Sequence, residues 1–268
     1  MLFKRILTAV ILVPLVVITT LKLDSPEFFI AMVPILAISS WEYSGLIKMK
    51  HWSTKALYVA ALTTAACFFN QTPFLLTPLL IITLLWWFIN SFWIISFPRH
   101  TRFWHSYLAT RLVNGFFFFI PLLVALSALH QIDSMLVLLL LILIWAADSG
   151  AYLVGRKIGK NKLLPNVSPG KTVEGVVGGI LFSFSAMFIY VYFVLENADF
   201  AHYFFYGVLS LVTTLASILG DLFESLHKRV AGVKDSGILL PGHGGFFDRI
   251  DSLTASAPIF LLAYSSLA

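Results

Sequence analysis

The sequence predicts an all-α, polytopic membrane protein of about nine transmembrane helices with a cytoplasmic N-terminus. Three observations lead there. The 268-residue chain is 59% hydrophobic and only 12% charged, with mean hydropathy +0.90, whereas an ordinary soluble domain is about 25% charged. Apolar runs long enough to cross a hydrocarbon core of about 30 Å recur along its whole length. Basic residues collect on alternate loops between those runs.

The runs fall at 6–22, 27–46, 55–70, 74–98, 111–130, 134–153, 173–195, 202–222 and 252–267. In the first, Lys4-Arg5 followed by Ile6 to Leu21 has the shape of a signal peptide. No small-x-small cleavage pattern precedes Lys22 to Pro26 and further spans follow, so it reads as a retained first helix. The second run carries Glu42 between Trp41 and Tyr43, a bundle-facing polar residue to which the sequence assigns no role. The third and ninth runs are short, which leaves eight or ten spans as alternatives. In the fourth and fifth, Trp86-Trp87 and Phe116 to Phe119 read as packing or lipid-facing residues. The sixth ends near Asp148, the seventh follows a polar loop over 154–172, and the eighth runs into a second polar loop over 223–251 that leads to the ninth. No stretch is left for a water-soluble domain, so residues 1–268 read as one membrane domain, with N-terminal spans over 1–133 and catalytic spans over 134–268.

Charge placement supports this parity. With the N-terminus inside, the inner loops hold every Lys and Arg except Lys22, and the outer loops Asn70–Pro73, His130–Asp133 and Glu196–His202 hold none. Both long polar loops then face the cytoplasm. The net charge of +5 is accounted for by topology and implies no nucleic-acid partner. Cys67 is the single cysteine, which excludes an internal disulfide and cysteine-based metal sites. His100 and His105 read as interfacial, since no His-x-x-x-His zinc pattern is present.

Chemistry gathers between 221 and 251, where Asp221, Glu224, Lys228, Arg229, Lys234, Asp235, Asp248, Arg249 and Asp251 interleave both signs. Orientation needs only Lys and Arg, so the aspartates require another explanation. If the eighth helix continues past Asp221, then Glu224, Ser225 and Lys228 lie on its face at i+3, i+4 and i+7. A carboxylate left at bilayer depth costs up to about 2.5–3.5 kcal/mol; it is paired, here by an Asp221–Lys228 ion pair, or it is functional. The loop Pro241-Gly-His243-Gly244-Gly245 lets backbone approach an anion closely. It leads directly into Asp248-Arg249-Ile-Asp251, hard oxygen donors beside a phosphate-binding guanidinium. Two aspartates about 4 Å apart repel by roughly 4 kcal/mol at an effective dielectric near 20, a repulsion that divalent cations turn into binding. Asp221 and Asp248 are the candidate metal pair.

The other inner loop contains Asp148-Ser-Gly-Ala-Tyr152, Gly155-Arg-Lys-Ile-Gly159-Lys and Ser168-Pro-Gly-Lys171-Thr172. Gly170-Lys171-Thr172 resembles the end of a phosphate-binding P-loop, but Pro165 stands where that motif needs glycine, so a P-loop is rejected. What remains is a hydroxyl- and lysine-bearing turn before a helix N-terminus, which favours phosphate; a plain capping loop is the alternative.

Taken together, Ser225-Leu-His-Lys-Arg229, Lys234-Asp235-Ser-Gly and Pro241-Gly-His-Gly-Gly-Phe-Phe-Asp248-Arg-Ile-Asp251 resemble the signature of the phosphatidate cytidylyltransferase (CDP-diacylglycerol synthase) family. Asp148 to Tyr152 and Ser168 to Thr172 also look like family segments, so the resemblance covers roughly 140–268, and the first five spans match in hydropathy alone. One departure is His227, where the family usually has an apolar residue. The resemblance implies that CTP and phosphatidic acid react to CDP-diacylglycerol and pyrophosphate with Mg²⁺ in a two-metal centre, in a homodimer at the cytoplasmic face of the inner membrane. Carried over, Asp221 and Asp248 would hold the metal with Asp251 nearby. Lys228, Arg229, Lys234 and Arg249 would engage phosphates, alongside Ser225, Asp235 and Asp148. His243, Gly244 and Gly245 would cradle phosphate, and Ser168, Lys171 and Thr172 would approach from the other loop. Two rivals remain: a polyprenol or phytol kinase type of enzyme, which would keep a metal and phosphate site, and an anion transporter. The transporter predicts charges in both leaflets and an internal repeat, and neither is visible here.

Overall fold

The computed structural model describes residues 2–239 and 244–267, and within them the side chains of all but 2–9, 102, 103 and 267. The chain folds into helices α1 (Leu2–Lys22), α2 (Ser25–Leu46), α3 (Trp52–Asn70), α4 (Leu76–Ser96), α5 (Thr101–His105), α6 (Leu108–Ile132), α7 (Ser134–Ile158), α8 (Val173–Val194), α9 (Phe200–Ala231) and α10 (Phe247–Leu267). A 3₁₀ turn at Pro73–Leu75 leads into α4. Each of the nine apolar runs falls within one helix, the fourth together with that turn and a few residues beyond α4 and the seventh one residue past α8. Among the described residues six helical segments are long and apolar enough to cross a membrane: α2, the turn with α4, α6, α7, α8 and α9. The protein is thus an all-α membrane protein of multiple spans, and α3 and α10 are not among these six.

The loop between α7 and α8 holds an addition to the expected all-helical fold. Strands β1 (Lys162–Leu164) and β2 (Ser168–Thr172) pair antiparallel, with Lys162 opposite Thr172 and Leu164 opposite Ser168. β2 ends at Thr172, whose hydroxyl caps α8 by accepting from the Gly175 N–H at 3.1 Å, so the strand pair delivers the chain directly into a capped helix start.

Packing depends on close backbone approach, since lipid tails give helices in a bilayer little hydrophobic reason to associate. α7 and α8 pack along much of their length; a Cβ added at Gly150 would lie 2.5 Å from the Gly178 carbonyl oxygen. α9 and α10 meet at Gly220, where a Cβ would stand 2.5 Å from the Asp251 carbonyl oxygen. An aromatic cluster fills the interior between α4, α6 and α9. Trp87, Phe118 and Phe223 are buried there, with Trp87 and Phe223 edge to face at 5.7 Å between centroids, a favoured arrangement of ring quadrupoles. His227 joins this cluster, 4.6 Å from Phe223 and 5.1 Å from Trp104. Its Nδ1–H donates to the Phe223 carbonyl at 2.9 Å and its Nε2 accepts from Asn114 at 3.4 Å. The histidine therefore serves as a satisfied core aromatic, which explains how it stands at an otherwise apolar position.

The polar loops converge at one end of the bundle. There Arg111 donates to the Ile47 carbonyl at 2.7 Å, Arg229 to the Val167 carbonyl at 3.0 Å, and Lys171 meets Asp221 at 2.6 Å. At the opposite end His130 joins the first two helices, with Nε2 2.9 Å from the Thr20 carbonyl and Nδ1 3.0 Å from the Ser25 hydroxyl. The loops that collect Lys and Arg in the sequence thus share an end, and the loop after Lys22 lies at the other.

Candidate active site

α9 does continue past the eighth apolar run, to Ala231, and ends at Gly232 in the left-handed conformation with φ 78°. Its face carries Asp221, Glu224, Ser225 and Lys228 as the i+3, i+4 and i+7 spacing requires. The Asp221–Lys228 ion pair, the alternative to a functional role, does not form. Asp221 Oδ1 instead accepts from Ser225 at 3.2 Å and Oδ2 from the Lys171 ammonium at 2.6 Å. Lys228 pairs with Glu224 one turn back and with Asp248 Oδ1 at 2.6 Å. The two candidate metal aspartates are therefore each held by a separate lysine.

Asp248 is the most heavily coordinated carboxylate of the site. It lies in the first turn of α10, where the helix dipole favours a negative charge. While Oδ1 takes Lys228, Oδ2 accepts from the backbone N–H of Gly245 at 2.8 Å and of Ser236 at 2.9 Å. Gly244, at φ 81°, turns the chain so that Gly245 can do this, and a Cβ on Gly244 would lie 2.7 Å from Asp248 Oδ2. The anion this part of the glycine loop cradles here is Asp248 itself. Pro241, Gly242 and His243 lie outside the described residues.

Asp251 sits where α10 crosses Gly220, and its carboxylate feels Asp221, Lys171 and Lys228. Asp148, on α7, feels Asp221, Lys171 and Arg249. Asp148, Asp221 and Asp251 thus bring carboxylate charge from three helices within electrostatic reach of the Lys171 ammonium, which β2 supplies. Glu224 is fully buried and Oε1 has no hydrogen-bond partner among the described residues, so its pairing with Lys228 carries its charge. Ser225 is tied to Asp221, and Thr172 is committed to capping α8. Arg229 is exposed and braces the loop at Val167. Ser168 is half-buried in β2, Lys234 and Asp235 are exposed beyond the α9 cap, and Arg249 is exposed on the first turn of α10.

Beside this cluster a cavity of about 370 Å³ opens between α7, α8, α9 and β2, lined by Asp148, Tyr152, Arg156, Lys171, Thr172 and Asp221 among others. Its size falls in the range of about 300–1,000 Å³ usual for small-molecule sites. Tyr152 and Arg156 are additions to the sequence-based set. Arg156 donates to the Tyr152 hydroxyl at 2.9 Å, and with Asp148 the two form an i, i+4, i+8 stripe that the spacing alone displays once α7 is known to run to Ile158. A second cavity, of about 480 Å³, is lined almost wholly by apolar side chains of α1, α2, α6, α7 and α10, with Arg249 and Ile250 among its lining.

Among the described residues no three His, Cys, Asp or Glu side chains stand together as ligands of a single metal ion. The donor chemistry nevertheless fits a hard divalent cation. Asp221 offers carboxylate oxygen next to the Ser225 hydroxyl, Asp148 and Asp251 add negative charge, and the Lys171 ammonium supplies the positive charge that such a cation would bring.

Comparison with known proteins gives one answer over the whole length. The model of the "Cytidylyltransferase family" matches residues 3–267. A phosphatidate cytidylyltransferase of Haemophilus influenzae is 35% identical over 289 residues, covering 98% of this chain and 99% of that protein. One of Pseudomonas aeruginosa is 34% identical over 262 residues, covering 97% and 96%. One of Staphylococcus haemolyticus is 46% identical over 121 residues, 44% of each chain.

Proposed function

Since the chain belongs to the cytidylyltransferase family, we infer that it transfers the cytidylyl group of CTP to phosphatidic acid, giving CDP-diacylglycerol and pyrophosphate for phospholipid synthesis. The observation that carries this reading is a pair of cavities beside the acid and lysine cluster of α9 and α10: one presents the charged Asp148, Arg156, Lys171 and Asp221, and the other, apolar, extends through the bundle from α1 and α2 to Arg249. A polar nucleotide and a lipid headgroup can meet there while acyl chains stay in an apolar environment.

The reaction needs no protein nucleophile. A phosphate oxygen of phosphatidic acid attacks the α-phosphorus of CTP, the bond to the bridging oxygen of the β-phosphate breaks, and pyrophosphate leaves with that electron pair. The chain's task is to hold two anions together and neutralise the charge that develops between them. In this reading Lys171 and Arg156 draw the triphosphate into the α7–α8 cavity. Lys228 and Arg249 meet the lipid phosphate at the start of α10, and the apolar cavity beside Arg249 takes an acyl chain. Arg229 and Lys234 add positive charge at the rim, while Ser168, Asp235 and the His243 to Gly245 loop shape it. Asp221 and Asp248, with Asp251 nearby, would hold Mg²⁺ in a two-ion centre. Bound there, Mg²⁺ would neutralise the triphosphate and stabilise charge on the leaving pyrophosphate. The basic end of the bundle faces the cytoplasm of an inner membrane, from which CTP arrives, and the working unit is a homodimer.

Purified protein supplied with phosphatidic acid, Mg²⁺ and CTP labelled on either the α- or the γ-phosphate tests the assignment. The α-label is expected on lipid and the γ-label in pyrophosphate. Transfer of the γ-label to lipid with release of CDP would assign a lipid kinase instead, and solute uptake by proteoliposomes without CTP turnover would assign a transporter.

A further inference from the structure

We propose that Glu42, in the N-terminal half of the chain, is a positioning residue for the transfer: it holds Ser236 and the first turn of α10 so that Asp248 and Lys228 stand where the phosphates bind. Glu42 lies on α2, about 200 positions in sequence from both, and is 7% exposed. Its Oε2 accepts from the Phe247 N–H at 2.9 Å and from the Ser236 hydroxyl at 3.3 Å. The Phe247 N–H is one of the donors that α10 cannot satisfy within itself, so Glu42 caps this helix from another span.

Ser236 passes the contact on. Its hydroxyl accepts from the Asp248 N–H at 3.3 Å and its own N–H donates to Asp248 Oδ2 at 2.9 Å. Glu42, Ser236 and Asp248 therefore form one hydrogen-bonded chain, and Asp248 binds Lys228 at its far end. Two glycines make room for the carboxylate. A Cβ at Gly237 would collide with Glu42 Oε1, and a Cβ at Gly245 would stand 2.5 Å from Glu42 Oε2. Gly237 and Gly245 thus both answer to a side chain from α2. A buried carboxylate whose Oε1 has no hydrogen-bond partner among the described residues is costly to retain for packing alone. A precise placement of Asp248 is the return.

The inference rests on the cytidylyl-transfer reading of the Asp248 and Lys228 site, and the test separates the two. Glu42→Ala, Glu42→Gln, Ser236→Ala and the Glu42→Ala/Ser236→Ala double variant are purified in detergent, and kcat, KM for CTP and thermal unfolding are measured for each. Glu42→Ala is expected to lower kcat at least tenfold with KM for CTP changed less than threefold, because a displaced Asp248 and Lys228 lose contacts made in the transition state. Glu42→Gln keeps the acceptor oxygen and should restore most of that loss. Ser236→Ala should lower kcat in the same direction, and the double variant should be no worse than about the more severe single one, since both cut the same chain. If Glu42→Ala unfolds, Ser236→Ala and Glu42→Gln still decide. Undiminished kcat in Ser236→Ala, additive losses in the double variant, or losses that follow only the fraction of folded protein would overturn the proposal. Wild-type protein that fails to turn over CTP with phosphatidic acid would remove the functional reading instead.

Discussion

The residues around Asp221 and Asp248 differ in what their substitution should do, and burial sorts them. Asp221→Asn and Asp248→Asn preserve shape and remove charge, so each should lower turnover about 100-fold or more, a loss typical of charge-stabilising groups, while the protein still inserts. Radiolabelled CTP turnover beside detergent thermal unfolding checks both, and full activity in either variant removes that aspartate from the site. The two lysines should part company. Lys171 and Asp221 are side chains 25% and 27% exposed, so Lys171→Met should keep the fold and lose turnover, with a raised KM for CTP. Lys228 is 12% exposed between Asp248 and a Glu224 side chain that is 0% exposed. Lys228→Met leaves two buried carboxylates without their cation, and breaking such a pair costs about 3–5 kcal/mol; the yield of folded protein should fall with the activity. Asp221, Asp248 and Lys228 were legible in the sequence as interleaved charge in an apolar chain. Their partners were not: the i+7 spacing offered Asp221 with Lys228, but Asp221 pairs with Lys171 of β2, and Lys228 with Asp248 of α10 and with Glu224 one turn back.

At the scale of elements, the site depends on how closely helices approach. α10 reaches α9 through Gly220, and that crossing sets Asp251 near Asp221. Gly220→Val should force the helices apart at a cost of about 1–3 kcal/mol from overpacking. Turnover should fall further than stability alone explains, because the Asp221–Asp251 spacing changes with the crossing; thermal unfolding and kcat measured together show which. The β1–β2 pair has a comparable role for Lys171. It was read from sequence as a hydroxyl- and lysine-bearing turn, and the hydroxyl of Thr172 does cap α8. The strand pairing itself left little mark, since Lys162–Leu164 and Ser168–Thr172 are too short for alternation to register. Thr172→Ala should destabilise the start of α8 by about 0.5–2 kcal/mol.

Over the whole molecule, the charged loops share one end, and the cytoplasmic assignment of that end is open to a direct test. With Cys67 replaced by Ser, a single cysteine is placed at exposed Asn166 or at exposed Gln131 and treated with a membrane-impermeant maleimide in vesicles of known sidedness. The cysteine at position 166 should label only from the cytoplasmic side and that at 131 only from the other; the reverse pattern would invert the topology. The sequence by itself determined the fold class, the runs that become helices, the end at which basic loops gather and the segment that carries the chemistry. Hydropathy, helical spacing and turn residues are local properties, and backbone confined to lipid must satisfy its hydrogen bonds within each helix. Only the tertiary structure decided which charge meets which: Lys171 with Asp221, Lys228 with Asp248, Asp148 beside the α7–α8 cavity, and Glu42 at the start of α10. Those pairings join side chains that crossing angles and small-residue contacts bring together, and no periodicity along one chain records where two helices cross.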